Sequence, residues 1–190
     1  MIIPGILASG ISGHLGLPGS YYAIQTLSPA GSSTASFTSI PQIYKHLVIR
    51  GTTRLSGSSN QNTIMGRLNS DSSSGNYATW YLEASGTSWN SSGFVKTTLS
   101  GGGFGASWAT TDSGLFTQFN VEITDYTNTS KWKAWRSKAY TSRSGASLVT
   151  LDNTFGQWFN TNNITQIDLL SYGSGYTWAT GTTLTLYGVN

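Results

Sequence analysis

The sequence contains no cysteine, which removes disulfide frameworks, thiolate nucleophiles and cysteine-based metal sites together. Its two histidines, His14 and His46, stand far apart in the chain, whereas a zinc site takes three or four ligands. No metal and no cofactor are expected. Charge is the larger deficit. Asp, Glu, Lys and Arg make up 9% of the chain, against about 25% in ordinary soluble domains. The net charge of +3 comes from 10 basic residues against 7 acidic ones. So thin a surplus is no nucleic-acid footprint, which needs Lys and Arg gathered on one face. No apolar run approaches the roughly 20 residues of a membrane-spanning helix, so no membrane partner is expected. Helix formers are scarce as well.

The missing charge is replaced by hydroxyls, since Ser and Thr account for about 55 positions. Disorder is not expected, because disordered chains are poor in aromatics and this one carries 7 Trp, 10 Tyr and 7 Phe. A chain of 190 residues suits one domain with a sizeable core of its own.

Thr, Tyr, Trp, Val and Ile suit a half-buried pleated surface, and Gly/Ser clusters cut the chain into strand lengths. Period-two alternation is clearest in Tyr44–Arg54, with Leu47 and Ile49 inward and His46, Val48 and Arg50 outward. Phe119–Asp125 repeats it, with Phe119, Val121 and Ile123 inward. Ile164–Tyr172 and Thr182–Val189 do the same through Ile167 with Leu169 and Leu184 with Leu186. Seven more strands are predicted over Tyr21–Leu27, Thr34–Ile40, Thr63–Asn69, Tyr77–Glu83, Phe94–Leu99, Lys131–Tyr140 and Ser147–Leu151. Turns are expected at 56–60, 71–76 and 100–103, where Gly, Ser, Asn and Asp cluster. The expected fold is all-β, an antiparallel β-sandwich. Uneven connections and the absence of Asn-Gly hairpins favour a jelly-roll-like arrangement over an up-and-down barrel.

One composition break, at Leu17-Pro18-Gly19-Ser20, divides the chain into an extended apolar, Gly-rich N-terminal arm over 1–19 and a single sandwich domain over 20–190. The arm does not read as a signal peptide, because no Lys or Arg follows Met1 and Pro4 and several glycines interrupt its apolar stretch.

Groups able to do chemistry are few enough to name. The carboxylates are Asp71, Glu83, Asp112, Glu122, Asp125, Asp152 and Asp168. A glycosidase needs two of them about 5–10 Å apart, and spacing alone brings no pair together, so they read as solvated surface groups. No G-x-S-x-G elbow sits between a strand and a helix. Asp71 to Asn76 has one carboxylate where a calcium loop wants several. No catalytic residue is assigned and the protein is expected not to be an enzyme. In Lys131-Trp132-Lys133-Ala134-Trp135-Arg136 the residues Lys131, Lys133 and Trp135 share one strand face, as on a strand packed on one side and solvated on the other. His46 is expected to pack or hydrogen-bond on the sheet. The tryptophans Trp80, Trp108, Trp135, Trp158 and Trp178, with Trp89 beside them, fall near expected strand ends or loops. There they would pack in the core, serve an interface, or stack on a glycan.

Several blocks carry a resemblance. Tyr21-Tyr22-Ala23-Ile24, the run from Phe37 to Gly51, Arg67-Leu68-Asn69-Ser70-Asp71 with Asn76-Tyr77, the run from Ile123 to Lys133, and Thr185-Leu186-Tyr187-Gly188-Val189 resemble stretches of tailed-bacteriophage virion structural proteins. Ile3 to Gly13 resembles the short apolar starts that accompany such modules. The resemblance implies a non-enzymatic virion component, foremost a capsid decoration or cement protein that binds and stabilises the shell. The alternative is a tail- or head-fibre module that recognises host surface glycan. Its implied partners are capsid or other virion proteins and copies of itself, a trimer being favoured, with a host glycan in the alternative. The arm, through Ile2, Ile3, Pro4, Ile6, Leu7 and Ile11, would make the virion attachment.

Overall fold

The computed structural model describes residues 20–56, 62–85, 88–95, 101–107, 114–142, 149–173 and 175–190. The expected arm over 1–19, and with it Ile2, Ile3, Pro4, Ile6, Leu7 and Ile11, lies outside the described residues. So do Trp108, Asp112 and His14.

Fourteen strands and no helix are found among the described residues. In chain order they begin β1 (Tyr21–Leu27), β2 (Thr34–Phe37), β3 (His46–Thr53), β4 (Leu55–Ser56) and β5 (Asn62–Leu68). There follow β6 (Tyr77–Ser85), β7 (Ser88–Val95), β8 (Gly102–Ser107), β9 (Thr117–Thr124) and β10 (Lys133–Ser142). The last are β11 (Val149–Trp158), β12 (Ile167–Ser171), β13 (Thr177–Trp178) and β14 (Thr183–Val189). They form an eight-stranded sheet in the order β1-β14-β3-β9-β10-β11-β6-β7, a four-stranded sheet β2-β12-β5-β8 and a short pair β13-β4. Every pairing is antiparallel, and the two larger sheets pack as a sandwich.

The core lies between those sheets and follows the expected alternation. Leu47, Ile49, Val121, Ile123, Leu184 and Leu186 of the large sheet are fully buried with Phe37, Ile64, Leu68, Ile167 and Leu169 of the small one. Each such side chain contributes about 1.5–3 kcal/mol on leaving water. Val48 points away from Leu47 and Ile49 as expected, yet it is buried on that outer face. There it stands in register between Tyr187 of β14 and Glu122 of β9.

The turn expected at 100–103 does not extend over Gly102 and Gly103. Gly102 and Gly103 belong to strand β8, and the reason is Trp135 on the facing sheet. A Cβ on Gly102 would stand 2.3 Å from the Trp135 ring, and one on Gly156 of the adjoining β11 only 2.1 Å from it. The indole therefore lies where two strands carry no side chain, and its Nε1 donates to the Gly103 carbonyl at 2.9 Å. Phe104 completes the packing, with ring centroids 5.1 Å from Trp135.

Other boundaries moved for local reasons. The strand expected over 94–99 begins earlier, at Ser88, and takes in Trp89. The strand expected over 34–40 stops at Phe37, and Ser39 adopts a left-handed φ of 53°. At the end of β5, Asn69 is also left-handed, with φ 52°. Its side chain clamps the 163–166 segment, accepting from the backbone N–H of Thr165 at 2.8 Å and of Gln166 at 3.2 Å and donating to the Asn163 carbonyl at 2.8 Å.

Candidate functional site

Three of the tryptophans singled out in the sequence belong to the interior, the core packing that was one of their expected roles. Trp135, Trp158 and Trp178 are each at most 3% exposed, so none offers a face to a ligand. Trp135 fills the glycine groove described above. Trp158 closes the end of β11 and donates its Nε1 to Asp71 Oδ2 at 2.7 Å. Trp178 packs in the core cluster beside β4. Trp80 is exposed at 46% and Trp89 at 67%, whereas Trp108 lies outside the described residues.

Both lie on the outer face of the large sheet, the face turned away from the core. Strand register sets what stands beside them. One row runs Trp80 of β6, Phe155 of β11, Arg136 of β10 and Glu122 of β9. A parallel row runs Trp89 of β7, Ala84, Leu151, Tyr140, Gln118 and Thr52. Between them lies a third, Leu82, Asn153, Lys138, Asn120 and Arg50. Trp80, Leu82, Trp89, Tyr140 and Phe155 are all exposed, so the β10-β11-β6-β7 half of this face is apolar and aromatic. The Trp80 ring lies over Gly93 of β7, where an added Cβ would meet it at 2.3 Å. Aromatic cover of an edge-strand glycine in this way supports sheet pairing.

The central strands β3, β9 and β10 carry the polar half. A depression of about 320 Å³ opens there, lined by Arg50, Thr52, Gln118, Asn120, Lys138 and Tyr140 among others. The Arg50 guanidinium lies 4.3 Å from the centroid of the Tyr21 ring, a cation–π contact. One row away, Arg136 Nε donates to Glu122 Oε2 at 2.6 Å, and that hydrogen bond holds the Arg136 pKa above its usual value.

The carboxylates are more engaged than the sequence suggests. Asp152 and Asp168 are buried rather than solvated. Asp152 accepts from Thr154 Oγ1 at 2.6 Å, and Asp168 from Ser70 Oγ at 2.9 Å and Gln166 Nε2 at 2.8 Å. Glu83 stands directly opposite Asp152 across β6 and β11, a pairing of distant residues that sequence spacing did not show. Asp125 bridges to Lys131 at 3.3 Å. Asp71 accepts from Trp158, from Asn76 Nδ2 at 2.8 Å and from the Ser73 N–H at 2.9 Å. Burial raises the pKa of that carboxyl, and the hydrogen bonds together outweigh it and hold it below the ordinary carboxylate range. The loop thus supplies its own donors to the one carboxylate a cation would use. Among the described residues no cluster of three or more His, Asp or Glu could hold a metal ion.

His46 accepts at Nδ1 from the Asp125 N–H at 3.2 Å, the structural bond expected of it. Lys133 lies on the packed face of β10 with Trp135, fully buried. Its ammonium donates to the carbonyls of Asn128, Lys131 and Thr161. Burial lowers its pKa, with the Asp125 charge acting in the opposite sense.

The depression residues went unnoticed in the sequence because Arg50, Asn120 and Lys138 belong to three separate strands. Outward parity was readable for Arg50; which residues meet it was not. The chain matches no protein-family model, no curated protein and no solved structure.

Proposed function

We propose that the protein is a non-enzymatic structural component of a tailed-phage virion, a capsid decoration or cement protein that associates with copies of itself and with shell proteins. The sequence blocks from Tyr21 to Val189 supply the phage resemblance. The observation that carries the assembly role is the edge strand β7. It is eight residues long, SWNSSGFV, with no charge and no proline. Its pairing with β6 is continuous from Ser85 opposite Ser88 to Ala78 opposite Val95. Soluble proteins blunt such edges with Lys, Pro, bulges or short strands, because an unpaired row of N–H and C=O groups templates pairing with another chain. Here the edge adjoins exposed Trp89, Trp80 and Leu82, an apolar area of the kind that marks protein contacts. A neighbouring subunit on β7 would extend the sheet and cover that area, and three such contacts would close a trimer. The arm over 1–19 would reach the shell.

A fibre module that binds host glycan is the second reading, favoured by the polar depression on β3, β9 and β10.

The test is co-sedimentation with purified virions stripped of the protein. The intact chain is expected to rebind particles, and a chain lacking residues 2–19 to remain folded and stay in the supernatant. Equal rebinding by both would remove the arm's role; no rebinding by either would remove the shell partner.

A further inference from the structure

The outer face carries two cations that have no ion-pair partner among the described residues. Lys138 of β10, Asn120 of β9 and Arg50 of β3 stand directly opposite one another in register, so the two cations flank Asn120. With strands about 4.8 Å apart, their Cα atoms are separated by roughly 10 Å. Long side chains on such positions converge readily on one small ligand. Neither Arg50 nor Lys138 takes part in an ion pair among the described residues. The nearest carboxylate in register, Glu122, is diagonal to both and bonded to Arg136 at 2.6 Å. In a chain with only 10 Lys and Arg, two cations on either side of a concavity, neither of them ion-paired among the described residues, are a selective arrangement.

The rest of the lining narrows the ligand. Asn120 Oδ1 is shielded from solvent and has no hydrogen-bond partner among the described residues. Gln118 and Thr52, in the adjoining row, add neutral hydrogen-bonding groups, and Tyr140 adds an exposed aromatic ring. An inorganic anion would use the two cations and leave the amides and the ring idle. A ligand with a carboxylate, several hydroxyls and a ring face uses all of them. Arg50, in cation–π contact with Tyr21, carries the guanidinium fork that matches a planar carboxylate. The depression, about 320 Å³, is at the small end of ligand sites.

We propose that this depression binds a carboxylated sugar, a hexuronate unit of an acidic polysaccharide, with Arg50 and Lys138 on the carboxylate, Asn120 and Gln118 on ring hydroxyls and Tyr140 against the ring. The assignment rests on the glycan-binding reading above and names its ligand class.

The experiment is calorimetric titration of the intact protein with a galacturonate hexamer, its fully methyl-esterified form and sodium sulfate. Saturable binding of the hexamer is expected. The ester, with the same rings and no charge, should bind at least tenfold more weakly, and sulfate should not compete at matched charge. Arg50→Ala and Lys138→Ala should each weaken binding at least tenfold. Asn120→Asp, which sets a negative charge between the cations, should abolish it with an unchanged melting temperature. Absence of saturable hexamer binding, equal binding of the ester, or full competition by sulfate overturns the assignment. A parallel host-cell adhesion assay separates the two failures. Adhesion without hexamer binding removes this ligand class alone, and no adhesion removes the glycan reading with it.

Discussion

Trp158 and Asp71 are joined by an indole-to-carboxylate hydrogen bond of 2.7 Å that ties the end of β11 to the loop between β5 and β6. The same loop is pinned by Tyr77, whose hydroxyl donates to the Asp71 carbonyl at 3.0 Å and accepts from the Leu68 N–H at 3.1 Å. The loop is thereby tied to the ends of β5, β6 and β11.

Because its hydrogen bonds hold the Asp71 carboxyl below its unfolded value, Asp71 favours the folded state above a pH of about 4. That contribution is lost as pH falls through the folded-state value. Asp71→Ala is expected to lower stability at neutral pH by about 1–3 kcal/mol, since it strands a buried indole donor. It should also flatten the decline in stability below pH 4. Urea unfolding at pH 7 and pH 3 checks both; an undiminished acid dependence in the variant would show that the stability loss on acidification arises elsewhere.

Gly102→Ala and Gly156→Ala should each be strongly destabilising, by about 1–3 kcal/mol or more for overpacking. Both methyls would enter the Trp135 ring. Trp135→Phe, itself destabilising, should reduce the added effect of Gly102→Ala. A double-mutant cycle in denaturant measures that coupling, and strict additivity would contradict the contact.

Asn69→Ala removes the clamp on 163–166 and places a Cβ-bearing residue without Asn's tolerance at positive φ. A loss of about 1–3 kcal/mol is expected. Asn69→Gly should recover only the backbone part. Thermal melts of the two variants are the check, with full recovery by glycine contradicting the clamp.

Edge strand β7 is expected to mediate self-association. Ser91→Lys, on the outer face of that edge, should shift the protein toward monomer in light scattering without lowering its melting temperature. A wild-type protein monomeric at high concentration would remove the edge as an interface.

The alternating strands were legible in the sequence. Leu47 with Ile49, Phe119 with Val121 and Ile123, and Leu184 with Leu186 face the core as their period demands, because alternation is a local property. Gly102 and Gly103 were not legible. A glycine run reads as a turn unless the ring that occupies it is known, and Trp135 lies on another sheet. Trp135 and Lys133 were correctly placed on one face, yet which face was inward depended on carbonyls from the 128–131 and 161 loops that accept the ammonium. The pairs Glu83 with Asp152 and Arg50 with Asn120 were hidden for the same reason: register between distant strands is fixed by the whole sheet.

The central claim is that this sandwich is a structural part of a phage particle, assembled through β7. Cryo-electron microscopy of purified virions tests it most directly. The account predicts repeated density on the capsid lattice that fits the sandwich, with β7 at a contact between subunits. Virions bearing the protein only at fibre tips, or lacking it altogether, would contradict the account.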